Sequence, residues 1–347
     1  LSGYGTTTAG ATSLTAATSL SLGATNGMTV GGNFGLYATT TITVSNAVTV
    51  NSGTVTMNTN GAIAIDASIT SSSGAVLITS NDDCTGSALA TTIASGATVS
   101  ATTLTIHGDL ALIGAVSVGT GTLNLIEKCS TTDSIGIGGT GLSDALSMDD
   151  TELSKISASS SGKLVFKSTQ GNIDISGVEQ ATDMSNSNGA VVEVISNSVK
   201  TISMLASASS FNTLTLNSAG GISVNFDLST TSGSMNLIYS GANLTLAANA
   251  DLTSTGALSL SGFGVLTSGA SIFTAATSLS LGGTNGIQVG GDLTLDATTT
   301  ITVSHIVQVN SGVLTMTTDG AIAIDANIAS SGFITMVSND DCAGTAV

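Results

Sequence analysis

Apolar residues in this chain alternate with small polar ones in short bursts. They recur as Leu20/Leu22, Met28/Val30, Ile42/Val44, Val48/Val50, Val55/Met57, Ile63/Ile65 and Val76/Ile78. A period of two marks a strand with one buried face. The pairs follow one another about every seven residues, with Gly-, Asn- and Ser-rich turns between them. Every third pair falls into a longer rhythm. Leu20, Ile42 and Ile63 are 22 and 21 residues apart; Met28, Val48 and Ile69 are 20 and 21 apart. Three short strands per 20–22 residues predict an all-β chain, a right-handed three-sided parallel β-helix (β-solenoid). A sandwich of two antiparallel layers is the rival fold, but it has no need of so constant a register. At about 21 residues per turn the 347 residues make roughly 16 coils. The chain has no proline, which fits, because proline cannot donate to a ladder.

A second, longer repeat overlies the first. Residues 16–68 and 275–327 align without gaps at an offset of 259, with 38 identities in 53 positions. After a one-residue deletion the match resumes at Asn81-Asp82-Asp83-Cys84 and Asn339-Asp340-Asp341-Cys342. The expectation is one continuous solenoid over 1–347, a long repeat over 10–268 and a second copy beginning at 269–347. The differences between the copies are selective. Thr29, Asn33, Tyr37 and Thr49 become Gln288, Asp292, Asp296 and Gln308, whereas Met28, Val30, Leu36, Ile42 and Val44 stay apolar as Ile287, Val289, Leu295, Ile301 and Val303. One face is constrained by packing and the alternate face is free to vary.

Composition narrows the function. Five Lys and no Arg stand against 22 acidic residues, for a formal charge of −17. Nucleic acid is excluded as a partner, since phosphate binding runs on Lys and Arg, and an anionic membrane surface is a poor one. No run of about 18 apolar residues is present, so no helical membrane insertion is expected. The first residues carry no initiating Met, and the chain reads as part of something longer. All five Lys lie between 128 and 200. Residues 127–155 hold two of them and break the strand rhythm, which predicts an inserted loop with one helical turn near Asp149 to Lys155; alternation returns at Leu164/Phe166 and Ile173/Ile175.

Candidate chemical sites are sparse. Asp82 and Asp83, with their copies Asp340 and Asp341, place adjacent acids at a strand end. Oxygen clusters there could hold calcium, although a hydrated turn explains them as well and no other cofactor is expected. Asp149, Asp150 and Glu152 invite the same comparison, with helix-start chemistry as the simpler account. No pair of carboxylates is matched with a cation to hold an acidic polysaccharide, so catalysis, including polysaccharide cleavage, is not expected. His107 and His305 do not correspond between the copies and read as surface ladder residues. Cys84 and Cys129 are candidates for a disulfide tying the 127–155 segment to the shaft, which suits an oxidising exterior; Cys342 would then pair beyond the chain. Asn243-Leu244-Thr245 is the single N-glycosylation sequon. Thr-x-Thr runs such as Thr39–Thr43 raise ice binding, but their irregular spacing argues against a flat array. Of the aromatics, Tyr37, Tyr239 and a few Phe are the residues available for sugar recognition.

The run 134–177, with SIGIGGTG, TELSKISA and KLVFKSTQGNIDISG, resembles a unit of the filamentous-haemagglutinin-type adhesins, giant repetitive surface proteins that also carry GDLTL- and GAIAI-like strands. The resemblance implies a long right-handed β-helical shaft, exported from the cell, and no catalytic residues. The expected role is a structural shaft or filament module at the cell surface or beyond, continued end to end by flanking repeats or further copies of itself. An adhesin stalk that binds a receptor or glycan is the alternative.

Overall fold

The computed structural model describes residues 2–3, 6–84, 90–127, 129, 135–139, 146–197 and 199–338. The candidates Asp340, Asp341 and Cys342 lie outside them. The described chain is almost all-β, short strands joined by turns and wound as a β-solenoid of about 15 coils. Its strands pair in parallel, which rules out the antiparallel sandwich. The coils fall into two compact units, residues 1–170 with 181–191, and residues 171–180 with 192–347.

In the first unit the coils contribute one strand to each of three faces up to Leu110–Leu112, beyond which two of the faces continue. The first face runs from Ser2–Gly3 to Leu110–Leu112, the second from Thr6–Thr8 to Ile156–Ala158, and the third from Thr12–Ala16 to Lys163–Ser168. The step between coils is the one the apolar spacing requires. Ile42 pairs with Ile63 and Val48 with Ile69, each 21 residues on. Period-two alternation sends every second side chain inward, where equivalent residues stack. One column reads Leu22, Val44, Ile65, Ile93, Leu112. Another reads Met28, Val48, Ile69, Val99, Val116, Ile156. All of these are buried, and each contributes about 1.5–3 kcal/mol relative to exposure.

Two excursions interrupt the first unit, and the inward columns of its second and third faces resume in phase after both, with one register shift between Ser117 and Gly119 after the second. Across residues 81–90 the step grows to 28, from Val76 to Leu104. Across 127–155 it grows to 41, from Leu123 to Leu164. The second excursion is more than a loop. It holds a short parallel pair, Ile135–Ile137 with Leu146–Met148, and a one-turn helix α1, Asp150–Leu153. Met148 and Leu153 are fully buried, so the segment adds to the core it departs from.

The second unit repeats the scheme. Ile202, Ile222, Leu244, Val265, Ile287, Val307 and Ile328 form one inward column. Leu228, Leu252, Phe273, Leu295, Met316 and Met336 form another. Steps of 20–22 residues separate members of the first of these. The final described coil, 321–338, is the exception in burial. Its Ile334 and Met336 are 43% exposed and Phe333 is 81% exposed.

Candidate functional site

The densest polar chemistry in the described residues sits where the first face of the first unit stops. Leu110–Leu112 is the last strand of that face, and an edge strand presents amides and carbonyls with no ladder partner. Here side chains take the ladder's place. Leu112 N–H donates to Glu152 Oε1 (2.8 Å), and Lys155 Nζ donates to the Leu112 carbonyl (3.1 Å). Leu110 N–H donates to Asp109 Oδ1 (2.8 Å). Helix α1 positions Glu152. Asp149 caps it by accepting the Glu152 N–H (2.9 Å), while Glu152 Oε2 accepts the Asp149 N–H (3.2 Å), a reciprocal capping box. Asp150 Oδ1 in turn accepts from Gly139 N–H (2.8 Å). The helical turn predicted near Asp149 is therefore present, and its acids serve the helix start and the sheet edge.

Burial sets the electrostatics of this edge. Desolvation raises the Glu152 carboxyl above its ordinary range, opposed by the amides of Leu112 and Asp149 and reinforced by the charges of Asp149 and Asp109. Asp109 is raised by burial too, against the pull of the Leu110 amide. Glu152, Asp149, Asp109 and Asp150 each accept a hydrogen bond from a backbone amide.

The Asn81–Cys84 turn closes the third-face strand Ala75–Thr79. Asn81 and Cys84 adopt positive φ (49° and 56°). Asn81 N–H donates to the Gly61 carbonyl, Asp82 N–H to the Thr59 carbonyl, and Asn58 Nδ2 to Asp82 Oδ2 (3.2 Å). Cys84 and Cys129 are joined as a disulfide, with Cα atoms 5.2 Å apart, so the second excursion is tied to the first. Asp82 is turned to a carboxamide and Asp83 is exposed. Among the described residues no group of three or more His, Cys, Asp or Glu is placed to hold a metal ion.

Stacking brings together hydroxyls that look irregular along the chain. Thr7, Thr29, Thr49, Thr70, Ser100, Ser117 and Ser157 occupy one outward register position of the second face. The excursions absorb the uneven spacing, but the column is one residue wide. Other hydroxyls are buried at corners: Ser218 donates to the Gly221 carbonyl (2.9 Å), Thr230 to that of Gly233 (2.6 Å), and Thr59 Oγ1 accepts from Gly61 N–H (3.1 Å). They stand in for ladder partners that turn backbone lacks. A hydroxyl one residue before a Gly-containing turn was the signal for them.

The remaining candidates scatter. His107 lies on the third face between Thr79 and Ile126, and His305 Nδ1 accepts the Gly283 N–H (3.2 Å) at a corner of the second unit. Asn243 is half-buried at the start of strand Leu244–Leu246, beside a groove of about 390 Å³ shared with Phe263, Asn285 and Gln288. Tyr239 is not available for recognition. It is fully buried, its hydroxyl has no hydrogen-bond partner, and burial raises its pKa.

Fold and edge together define a β-solenoid in which the carboxylates at the Leu110–Leu112 edge are committed to backbone amides. No family model matches the sequence, and no curated protein or solved structure matches it either. The likeness to filamentous-haemagglutinin-type adhesins therefore rests on the repeat pattern of the sequence, clearest over 134–177.

Proposed function

We propose that the chain is a non-enzymatic shaft or filament module of a long repetitive extracellular protein. The observation that carries this reading is the pair of inward columns that stay in register through excursions of the backbone. Such columns pass load from coil to coil through parallel ladders and nearest-neighbour packing. The Cys84–Cys129 disulfide fits an oxidising exterior. The partners are further coils, supplied by flanking repeats or by other copies, stacked end to end. A charge of −17 limits side-to-side aggregation.

Immunogold electron microscopy of native material, with an antibody to this chain, tests the proposal. Label along extracellular filaments is the expected result; label confined to the cell interior or to globular particles overturns it. Turnover of any polysaccharide by the purified chain would remove the non-enzymatic part.

A further inference from the structure

The outward side of the third face carries one aromatic ring in a seat made for it. Gly35 and Tyr37 are two residues apart on strand Phe34–Ala38 and share its outward side. A Cβ at Gly35 would stand 2.7 Å from Tyr37 Cε2, 3.2 Å from its hydroxyl oxygen and 3.3 Å from Cζ. The ring therefore lies back along its own strand, over the space a side chain would fill. It is 38% exposed. Ser13 and Thr56 flank Gly35 in register on the neighbouring coils. With Thr12, Asn33 and Thr54 they border a shallow depression of about 290 Å³. Asn33 Oδ1 accepts the Thr54 N–H (2.9 Å), which holds the carboxamide at the rim with its NH₂ group to donate.

We infer that this depression is a subsite for one neutral sugar ring of a glycan. The flat apolar side of a pyranose matches an aromatic face, and its hydroxyls match a border of hydroxyls and one carboxamide. None of the lining residues is charged, so no cation is present to hold a uronate or a sulfate, and the net negative charge repels both. The second copy supplies a contrast inside the same molecule. Asn33, Gly35 and Tyr37 become Asp292, Thr294 and Asp296, so seat, ring and carboxamide are lost together. A ring that only covered a bare glycine would need neither Asn33 nor an uncharged rim.

The test is NMR of the full chain with labelled tyrosine rings, titrated with chitotriose, cellotetraose and mannotriose, and with a sulfated heparin disaccharide as the anionic probe. Buried Tyr239 serves as the internal reference. Expected is a saturable shift of the Tyr37 ring in the millimolar range with at least one neutral probe and none with the sulfated one. With binding followed by saturation transfer to the sugar, Tyr37→Ala should abolish it without moving the Tyr239 resonance, and Asn33→Ala should weaken it about five-fold or more. The proposal is overturned if no neutral probe shifts Tyr37, if the sulfated probe binds equally, or if neutral binding persists in Tyr37→Ala.

Discussion

Coil 62–79 and coil 321–338 are near-copies in sequence, yet they differ in what covers them. In the first, Ile63, Ile65, Ile69, Val76 and Ile78 are at most 1% exposed beneath the coil that begins at Thr91. In the second, Ile322, Ile324 and Ile328 are only half-buried, and Ile334 and Met336 are 43% exposed. The inward positions stay apolar and the three strands recur in both places, with Ile334 and Met336 standing for Val76 and Ile78, so strand formation is local while burial belongs to the neighbour. A coil is half of an interface. The Leu110–Leu112 edge adds a third case, in which a strand with no further ladder partner is closed by side chains instead.

The sharpest way to break this comparison is a pair of core truncations. Ile65→Ala should cost about 3–4 kcal/mol, the range for a cavity in a well-packed interior, whereas Ile324→Ala should cost about 1 kcal/mol or less. Urea denaturation followed by segment-resolved hydrogen exchange reads both, and equal losses would mean that coils bury themselves. Next comes the cross-link, which the described residues place above the first coil alone. Replacing Cys84 and Cys129 with Ser should remove about 3 kcal/mol by loosening a 45-residue loop. Exchange should quicken at the Asn81–Cys84 turn and α1, and stay unchanged in the second unit. Glu152→Ala should cost about 1–3 kcal/mol by stranding the Leu112 amide. It should also speed exchange at that amide and promote association through the bared edge.

The smallest effect is the response to pH. Glu152 and Asp109 have folded-state pKa values above their ordinary ones. Their contribution to stability is therefore fully present below the ordinary carboxylate range and is lost as pH rises through the raised values. Unfolding midpoints of the first unit should rise on mild acidification from neutrality. The rise should shrink in the Asp109→Asn/Glu152→Gln double variant, and an unchanged slope would remove these two groups from the account.

Much of the fold was legible because the signal is periodic. Leu20, Ile42 and Ile63 disclose the coil length, and the alternation at Leu164/Phe166 marks where the shaft resumes. The spacing of Cys84 and Cys129 made their bond plausible without requiring it. The edge closure was out of reach: Glu152 meets Leu112 across 40 residues of chain, through an excursion with no repeat to read. The corner hydroxyls of Ser218 and Thr230 were not legible because small polar residues suit either side of a strand; only the turn geometry decides. Tyr239 was counted among the aromatics available for sugar recognition, yet its alternation phase with Met235 and Leu237 places it inward.

The excursions at 81–90 and 127–155 return the backbone facing the way it left, and this governs how such a chain can change over generations. An insertion that hands the strand back out of phase by one residue would turn an oily row to water, and would be discarded. One that returns in phase is admitted at little cost, whatever its length or chemistry. Side decorations can therefore be gained, traded or lost by recombination while the interior stays untouched, and outer novelty accumulates on its own clock.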